Sequence, residues 1–233
     1  MIDMHTHLLT GIDNGCKDFS DAGKVILKAK SEGVTAMIIT PHESINDKLS
    51  ANDLIDRFKK FNQIFSKYNV DLYLGAEIDY HRDALVKIFY KSMLSMNNTS
   101  FVLLDFTKMK EFDIFEIINK YKTHNVKIII AHIERYGYSI KEIEKIKNAG
   151  AYVQVDASTI LDKKQAKWVN EMLEERLIDF VSSNAHSGSS IYGMKDAYTL
   201  VAKKTSKDYA DLIFTRNATN LLIKNGNIYR NNI

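Results

Sequence analysis

Apolar residues along this chain fall into short runs, and the stretches between the runs show the three-to-four-residue spacing of amphipathic helices. Seven runs read as strands: 1–7 (MIDMHTH), 34–42 (VTAMIITPH), 71–80 (DLYLGAEIDY), 100–106 (SFVLLDF), 126–133 (VKIIIAHI), 151–157 (AYVQVDA) and 179–186 (DFVSSNAH). A helical pattern such as DFSDAGKVILKAKSEG follows the first, with Asp18 or Ser20 placed to cap its start and Gly33 its end. Strands alternating with helices imply right-handed crossovers and a mainly parallel sheet, and seven such units favour a closed or nearly closed barrel. No composition shift or linker divides the chain, so one α/β domain over residues 1–233 is expected.

Polar residues interrupt this pattern at one kind of place. In a β/α barrel the functional groups stand at the C-terminal ends of the strands and in the loops that follow. Five of the seven histidines fall there: His5 and His7 on the first strand, His42 after Thr40-Pro41 on the second, His132 on the fifth and His186 on the seventh. His5 and His7, two apart on a strand, share a face with Cα atoms roughly 6.6 Å apart. On the heptapeptide alone, two half-buried histidines of a plain strand explain as much as a metal site does; the gathering at one rim favours the metal. Glu77 and Asp105 end the third and fourth strands, and Asp13 lies in the GIDNG loop. The remaining two histidines are controls: His124 belongs to the opposite rim and the surface, whereas His81 either lines the cleft or is a solvated loop residue.

Composition removes other classes. The formal charge of +3, from 32 basic and 29 acidic residues well interspersed, gives no basic stripe for nucleic acid. A single cysteine, Cys16, excludes an intrachain disulfide and a cysteine zinc framework. No apolar run is long enough to span a bilayer, and the first residues carry no basic-then-apolar leader. A cytoplasmic protein without direct membrane insertion is expected.

Imidazole mixed with carboxylate, without thiolate, suits Zn, Mn or Fe. Eight potential ligands exceed the needs of one ion, and Glu77 is the natural bridge between two ions about 3.5 to 4 Å apart. Such a centre points to phosphoester hydrolysis with a metal-bound hydroxide, not a protein side chain, as nucleophile. Two readings stand for Arg135: a bidentate grip on a phosphate, or an ion pair with Glu134 or another acid.

The ordered motifs MIDMHTHLLTGIDNG, TPH, GAEI, LLDF, AHIERY, VQVDAS and SNAH, across almost the whole chain, resemble the polymerase-and-histidinol-phosphatase (PHP) superfamily. Within it they look like the bacterial capsular-polysaccharide tyrosine phosphatases. The resemblance implies a distorted TIM-like (β/α)7 barrel holding two or three ions, often Mn, with Fe or Zn as alternatives. It implies hydrolysis of phosphotyrosine on the tail of a bacterial tyrosine autokinase that controls capsule or exopolysaccharide synthesis. Carried over by position, His5, His7 and Glu77 bind the first ion, Glu77, Asp105 and His132 the second, and Asp13, His42 and His186 the third.

Several positions depart from that pattern. Asn184 stands where an aspartate usually completes the first metal site, and Ile191 where an arginine usually holds phosphate. Each loss costs about 2 to 4 kcal/mol of transition-state stabilisation, by analogy with one oxyanion donor. Asp156 in place of Asn and Ile133 in place of Pro read as second-shell or structural variation. Two alternatives follow: a small-molecule phosphoesterase of the same superfamily, or a catalytically weakened regulator that binds phosphotyrosine without turnover. For the tyrosine phosphatase reading, Tyr80, Tyr136 and Tyr192 are candidate rim aromatics for the substrate ring, or plain packing.

Overall fold

The computed structural model describes residues 1–43, 49–190, 192–224 and 227–228. Nine parallel strands form the barrel wall: β1 (Ile2–Thr6), β2 (Ala36–Ile39), β3 (His42–Glu43), β4 (Asp71–Leu74), β5 (Glu77–Asp79), β6 (Phe101–Asp105), β7 (Lys127–Ile130), β8 (Tyr152–Asp156) and β9 (Phe180–Ser182). They lie in the orders β1-β2-β4 and β3-β5-β6-β7-β8-β9. The seven expected segments are all present, but the second and third each break in two. Pro41 has no N–H to give the ladder at the first break. Gly75 sits at the second, where a Cβ would stand 2.9 Å from Met96 Sδ. Gly75 N still donates to Ile39 O and Glu77 N to Pro41 O, so the ladder steps across the gap. The wall closes where Thr6 pairs with Ala185, with His7 N donating to Ala185 O and Asn184 N to His5 O.

Helices cover the outside: α1 (Phe19–Ser31), α2 (Ala51–Phe65), α3 (Ala84–Phe89), α4 (Ile114–Thr123), α5 (Ile140–Ala149), α6 (Ala157–Leu161), α7 (Ala166–Glu174), α8 (Met194–Lys204), α9 (Lys207–Asp211) and α10 (Asn217–Thr219). Asp18 caps α1 through the amide of Asp21, and the chain leaves that helix through Glu32 and Gly33. Ser50 with Asp53 and Ser139 with Glu142 form capping boxes on α2 and α5. No helix among the described residues is long and apolar enough to cross a membrane.

Alternation along the strands divides the apolar residues into two cores. Val102 and Leu104 join the core beneath the helices, whereas Leu103 turns inward with Ile2, Met4, Ile38, Ile129 and Phe180. This inner plug leaves the C-terminal mouth to polar groups. β1 reaches that mouth through a bulge: Asp3 pairs with Met37 and Thr6 with Ile39, so β1 uses three residues where β2 uses two. The extra residue lets Met4 stay in the plug while His5 turns into the mouth. Asp3, behind them, accepts from Ser183 N, Ser183 Oγ and the Tyr192 hydroxyl, fastening β1 to β9.

Candidate metal centre

Glu77, 1% exposed at the start of β5, lies at the middle of the mouth. Its Oε2 is 3.4 Å from His5 Nε2, 3.3 Å from His7 Nε2 and 3.0 Å from His42 Nδ1, while Oε1 is 2.7 Å from His132 Nε2. His5 Nε2 and His7 Nε2 are 3.1 Å apart. On the other side, Asp105 Oδ2 is 3.9 Å from His132 Nε2. Three groups of close donor atoms result: His5, His7 and Glu77; Glu77, Asp105 and His132; and His7, His42 and His186. The rings of His7 and His186 stack at 4.0 Å.

Asp13 is beside the third group. Its Oδ2 accepts from His7 Nδ1 at 2.9 Å and from the amide of His42 at 3.0 Å, and its Oδ1 from Gly15 N at 2.9 Å. The GIDNG loop comes this close because residue 15 has no side chain; a Cβ there would stand 2.1 Å from His7 O. His132 and Asn184 leave their strands with φ of +32° and +50°, in the left-handed region. Such backbone costs of order 1–3 kcal/mol and gathers at functional sites, though His and Asn tolerate it better than most.

Charge follows from the same geometry. Burial would drive the His5 imidazolium's pKa down, but the Glu77 carboxylate outweighs it and holds the value up at about 9. His42 is raised in the same way, burial opposing and Glu77 prevailing. Burial favours a protonated Glu77, yet the surrounding imidazoles hold it well below the ordinary carboxylate range. Asp13 is likewise brought down to about 2, the His7 hydrogen bond overcoming burial. His186 is lowered to about 4, first by burial and then by repulsion from His7. Glu77 therefore demands positive charge beside it, and bound protons supply it where a divalent cation would.

The donor set fits metal ions. Two ligand atoms each about 2.1 Å from one ion stand roughly 3.0 Å apart at a right angle and 3.4 Å apart at the tetrahedral angle. His5, His7 and Glu77 Oε2 are separated by 3.1, 3.3 and 3.4 Å. His132 Nδ1 and Asn184 Oδ1 are covered and without hydrogen-bond partners among the described residues, a costly state unless something else satisfies them.

Supporting residues hold the donors. Thr107 N and Oγ1 donate to Asp105 at 2.7 and 2.8 Å, and the Tyr136 hydroxyl donates at 3.0 Å. Gln154 Oε1 accepts from the amide of His132 at 2.6 Å and faces His5 Nδ1 at 3.3 Å. His186 Nδ1 donates to Asn184 O. Gln154 lies within the VQVDAS motif but was given no role from the sequence; its clue was a polar side chain two before Asp156 on β8.

The other candidates separate. Arg135, half exposed, donates from Nη2 to Asp156 Oδ2 at 3.2 Å. Glu134 is not its partner, since Glu134 Oε1 accepts from Asp156 N and Thr159 Oγ1. Tyr192 is buried and not offered to a ligand ring, its hydroxyl donating to Asp3, whereas Tyr136 is half-buried with its hydroxyl on Asp105. Tyr80, half-buried, packs on Phe106. His81 joins none of the three groups, and both its ring nitrogens are covered. His124 is exposed at the C-terminal end of α4. Ile133 is fully buried in the outer core, and Ile191 lies outside the described residues.

A parallel β/α barrel with imidazoles and carboxylates converging at its C-terminal mouth defines the chain as a barrel protein of the metal-binding class. It belongs to the CpsB/CapC family of capsular polysaccharide synthesis, whose family model matches residues 1–223. It is similar to the tyrosine-protein phosphatase CpsB of Streptococcus agalactiae, 28% identical over 240 residues, with 95% of this chain and 98% of that protein covered. It is also similar to the tyrosine-protein phosphatase YwqE of Bacillus subtilis, 25% identical over 251 residues, covering 99% and 94%. Among solved structures, one from a study of B. subtilis YwqE and Streptococcus pneumoniae CpsB, described as unique metal-dependent tyrosine phosphatases, superposes with a TM-score of 0.86. That pair is 23% identical and covers 99% of this chain and 97% of the other.

Proposed function

We infer that this chain is a metal-dependent tyrosine-protein phosphatase of capsule or exopolysaccharide synthesis. The observation that carries the reading is Glu77, whose two carboxylate oxygens each face a different set of donors, His5 and His7 on one side and His132 with Asp105 on the other. His5, His7, Glu77 and Asn184 would hold one ion, Glu77, Asp105 and His132 a second, and Asp13, His42 and His186 a third. The donor set suits Zn, Mn or Fe, and the family resemblance favours Mn among them. Bound ions supply an acidified water and neutralise charge on the phosphoryl oxygens. The chain's own side chains fix their positions, with Thr107 and Tyr136 bracing Asp105 and Gln154 bracing His5. Arg135 uses one guanidinium nitrogen on Asp156 and turns the remainder to the phosphate at the rim. The substrate is the phosphotyrosine tail of a tyrosine kinase, met in the cytoplasm, consistent with the buried, unpaired Cys16.

The test is phosphate release from a tyrosine-phosphorylated peptide by metal-stripped protein titrated with Mn²⁺, with bound metal measured in parallel and His132→Ala as control. Turnover that rises with Mn²⁺ and vanishes in the control is expected. Bound metal without turnover on the peptide, but with turnover of a small phosphomonoester, shifts the assignment to a small-molecule phosphoesterase. Bound metal with no turnover of either shifts it to a regulator. No metal uptake refutes the reading.

A further inference from the structure

Asp156 belongs to none of the three donor groups, yet three side chains converge on its carboxylate. Gln154 Nε2 donates to Oδ1 at 2.9 Å, while Asn184 Nδ2 and Arg135 Nη2 donate to Oδ2 at 3.0 and 3.2 Å. The side chain is 7% exposed. An ionised carboxylate only accepts hydrogen bonds, so an amide beside it must present its NH2 and turn its oxygen away. For Gln154, the oxygen then meets the amide of His132 and His5 Nδ1. His5 then donates from Nδ1, and Nε2 is the ring nitrogen that faces Glu77 and His7. For Asn184, the same rule turns Oδ1 the other way, and Oδ1 is the atom left covered and unpartnered.

We propose that Asp156 is the positioning residue of the metal centre: one carboxylate sets the orientation of two amides, aims Asn184 Oδ1 and His5 Nε2 at the ion, and places behind Asn184 the negative charge that Asn184 lacks. The proposal rests on the metal-centre reading above. It accounts for two departures in the sequence as one, because Asp156 and Asn184, on neighbouring strand ends, are hydrogen-bonded partners. A hydrogen bond from an amide NH2 to a carboxylate also polarises the amide, giving its oxygen more of the character of an anionic ligand.

The exchange of the two side chains supplies the test. D156N puts an amide where an acceptor is needed, so it cannot receive both neighbouring NH2 groups, and one must flip. N184D sets two carboxylates about 3.0 Å apart. D156N/N184D restores the match between the two, since the new amide donates to the new carboxylate and its oxygen accepts from Gln154, while Arg135, half exposed, gives up its contact with residue 156 to solvent. Mn²⁺ affinity and stoichiometry are measured by calorimetry on metal-stripped protein, with the Mn²⁺ electron paramagnetic resonance line shape as a second readout. Each single variant is expected to bind Mn²⁺ about 10- to 100-fold more weakly, and the exchanged variant to return to within about threefold of the parent, a rescue that a residue of merely structural use gives no reason to expect. If D156N alone fails to fold, the exchanged variant still decides, because it must both fold and bind. Parent-like binding by D156N, or losses that simply add in the exchanged variant, overturn the proposal. A parent protein that takes up no Mn²⁺ is a different result: it overturns the metal-centre reading and this proposal with it.

Discussion

Removing metal makes the stability of this protein fall as the solution becomes more alkaline, an unusual sign across the neutral range. The cause is His5, fully buried against Glu77, whose pKa rises from 6.5 unfolded to about 9 in the folded chain. A raised folded pKa contributes stability that is complete below the unfolded value and is lost as pH climbs through the folded one. At ~1.4 kcal/mol per pKa unit, the loss between pH 6.5 and 9 is on the order of 3 kcal/mol. Glu77, held below its ordinary value by the same contact, is the other half of that pair and is not counted again. His42 acts in the same direction. His186 acts oppositely: lowered to about 4 by burial and by His7, it contributes stability that is present above 6.5 and lost as pH falls toward 4. Below pH 6.5 it is opposed by Glu134, which burial and then the Asp156 carboxylate raise to about 7 and whose contribution is lost as pH climbs through that range, so the net slope that His5 sets is the one above pH 6.5. For a chain of this length the alkaline loss corresponds to a Tm lower by about 10 °C. Urea or thermal unfolding of chelator-treated protein from pH 5 to 9.5 measures it, with Glu77→Gln expected to flatten the alkaline limb. Mn²⁺ reverses the trend, because ligands bind metal only when deprotonated. A parent whose metal-free stability is level or rising from pH 6.5 to 9, or a Glu77→Gln protein that keeps the fall, refutes the charge assignment.

Gly15→Ala forces a Cβ to within 2.1 Å of His7 O and 2.6 Å of His7 Cβ; stability is expected to drop by about 1–3 kcal/mol and Mn²⁺ binding to weaken, both read by calorimetry. Tyr136→Phe removes the hydroxyl that donates to Asp105 and accepts from the Phe106 amide. With Thr107 still holding Asp105, the expected loss of Mn²⁺ affinity is about tenfold; a loss too small to measure in a metal titration counts against the bracing role. Arg135→Ala should raise KM for a phosphotyrosine peptide about 10- to 100-fold, the equivalent of one charged hydrogen-bonded contact. Mn²⁺ stoichiometry should be unchanged, and an unaltered KM removes Arg135 from phosphate binding.

The strands and most donors were legible in the sequence because the two signals reinforce each other: apolar alternation marks the wall, and histidines that end apolar runs mark its mouth. His5, His7, His42, His132 and His186 stood out for that reason, and so did Glu77 and Asp105. The breaks at Pro41 and Gly75 were harder to read, since each falls inside what reads as one strand segment, and a strand is interrupted by ladder geometry, not by hydrophobicity. The bulge in β1 was hidden too. Strict alternation puts Met4 and His5 on opposite faces, whereas the structure has Met4 in the inner plug and His5 in the mouth. Least visible were residues that act through others. Gln154, Asp156 and Tyr136 touch no donor nearby in sequence, apart from Asp156 with Gln154; their partners are 21 to 31 residues away or farther. A hydrogen-bond chain of that kind is written in which donors face which acceptors, and only the folded chain brings them together. The same reasoning explains why Asn184 read as a loss on its own and reads differently beside Asp156: a ligand's charge is a property of its surroundings as well as of its residue type.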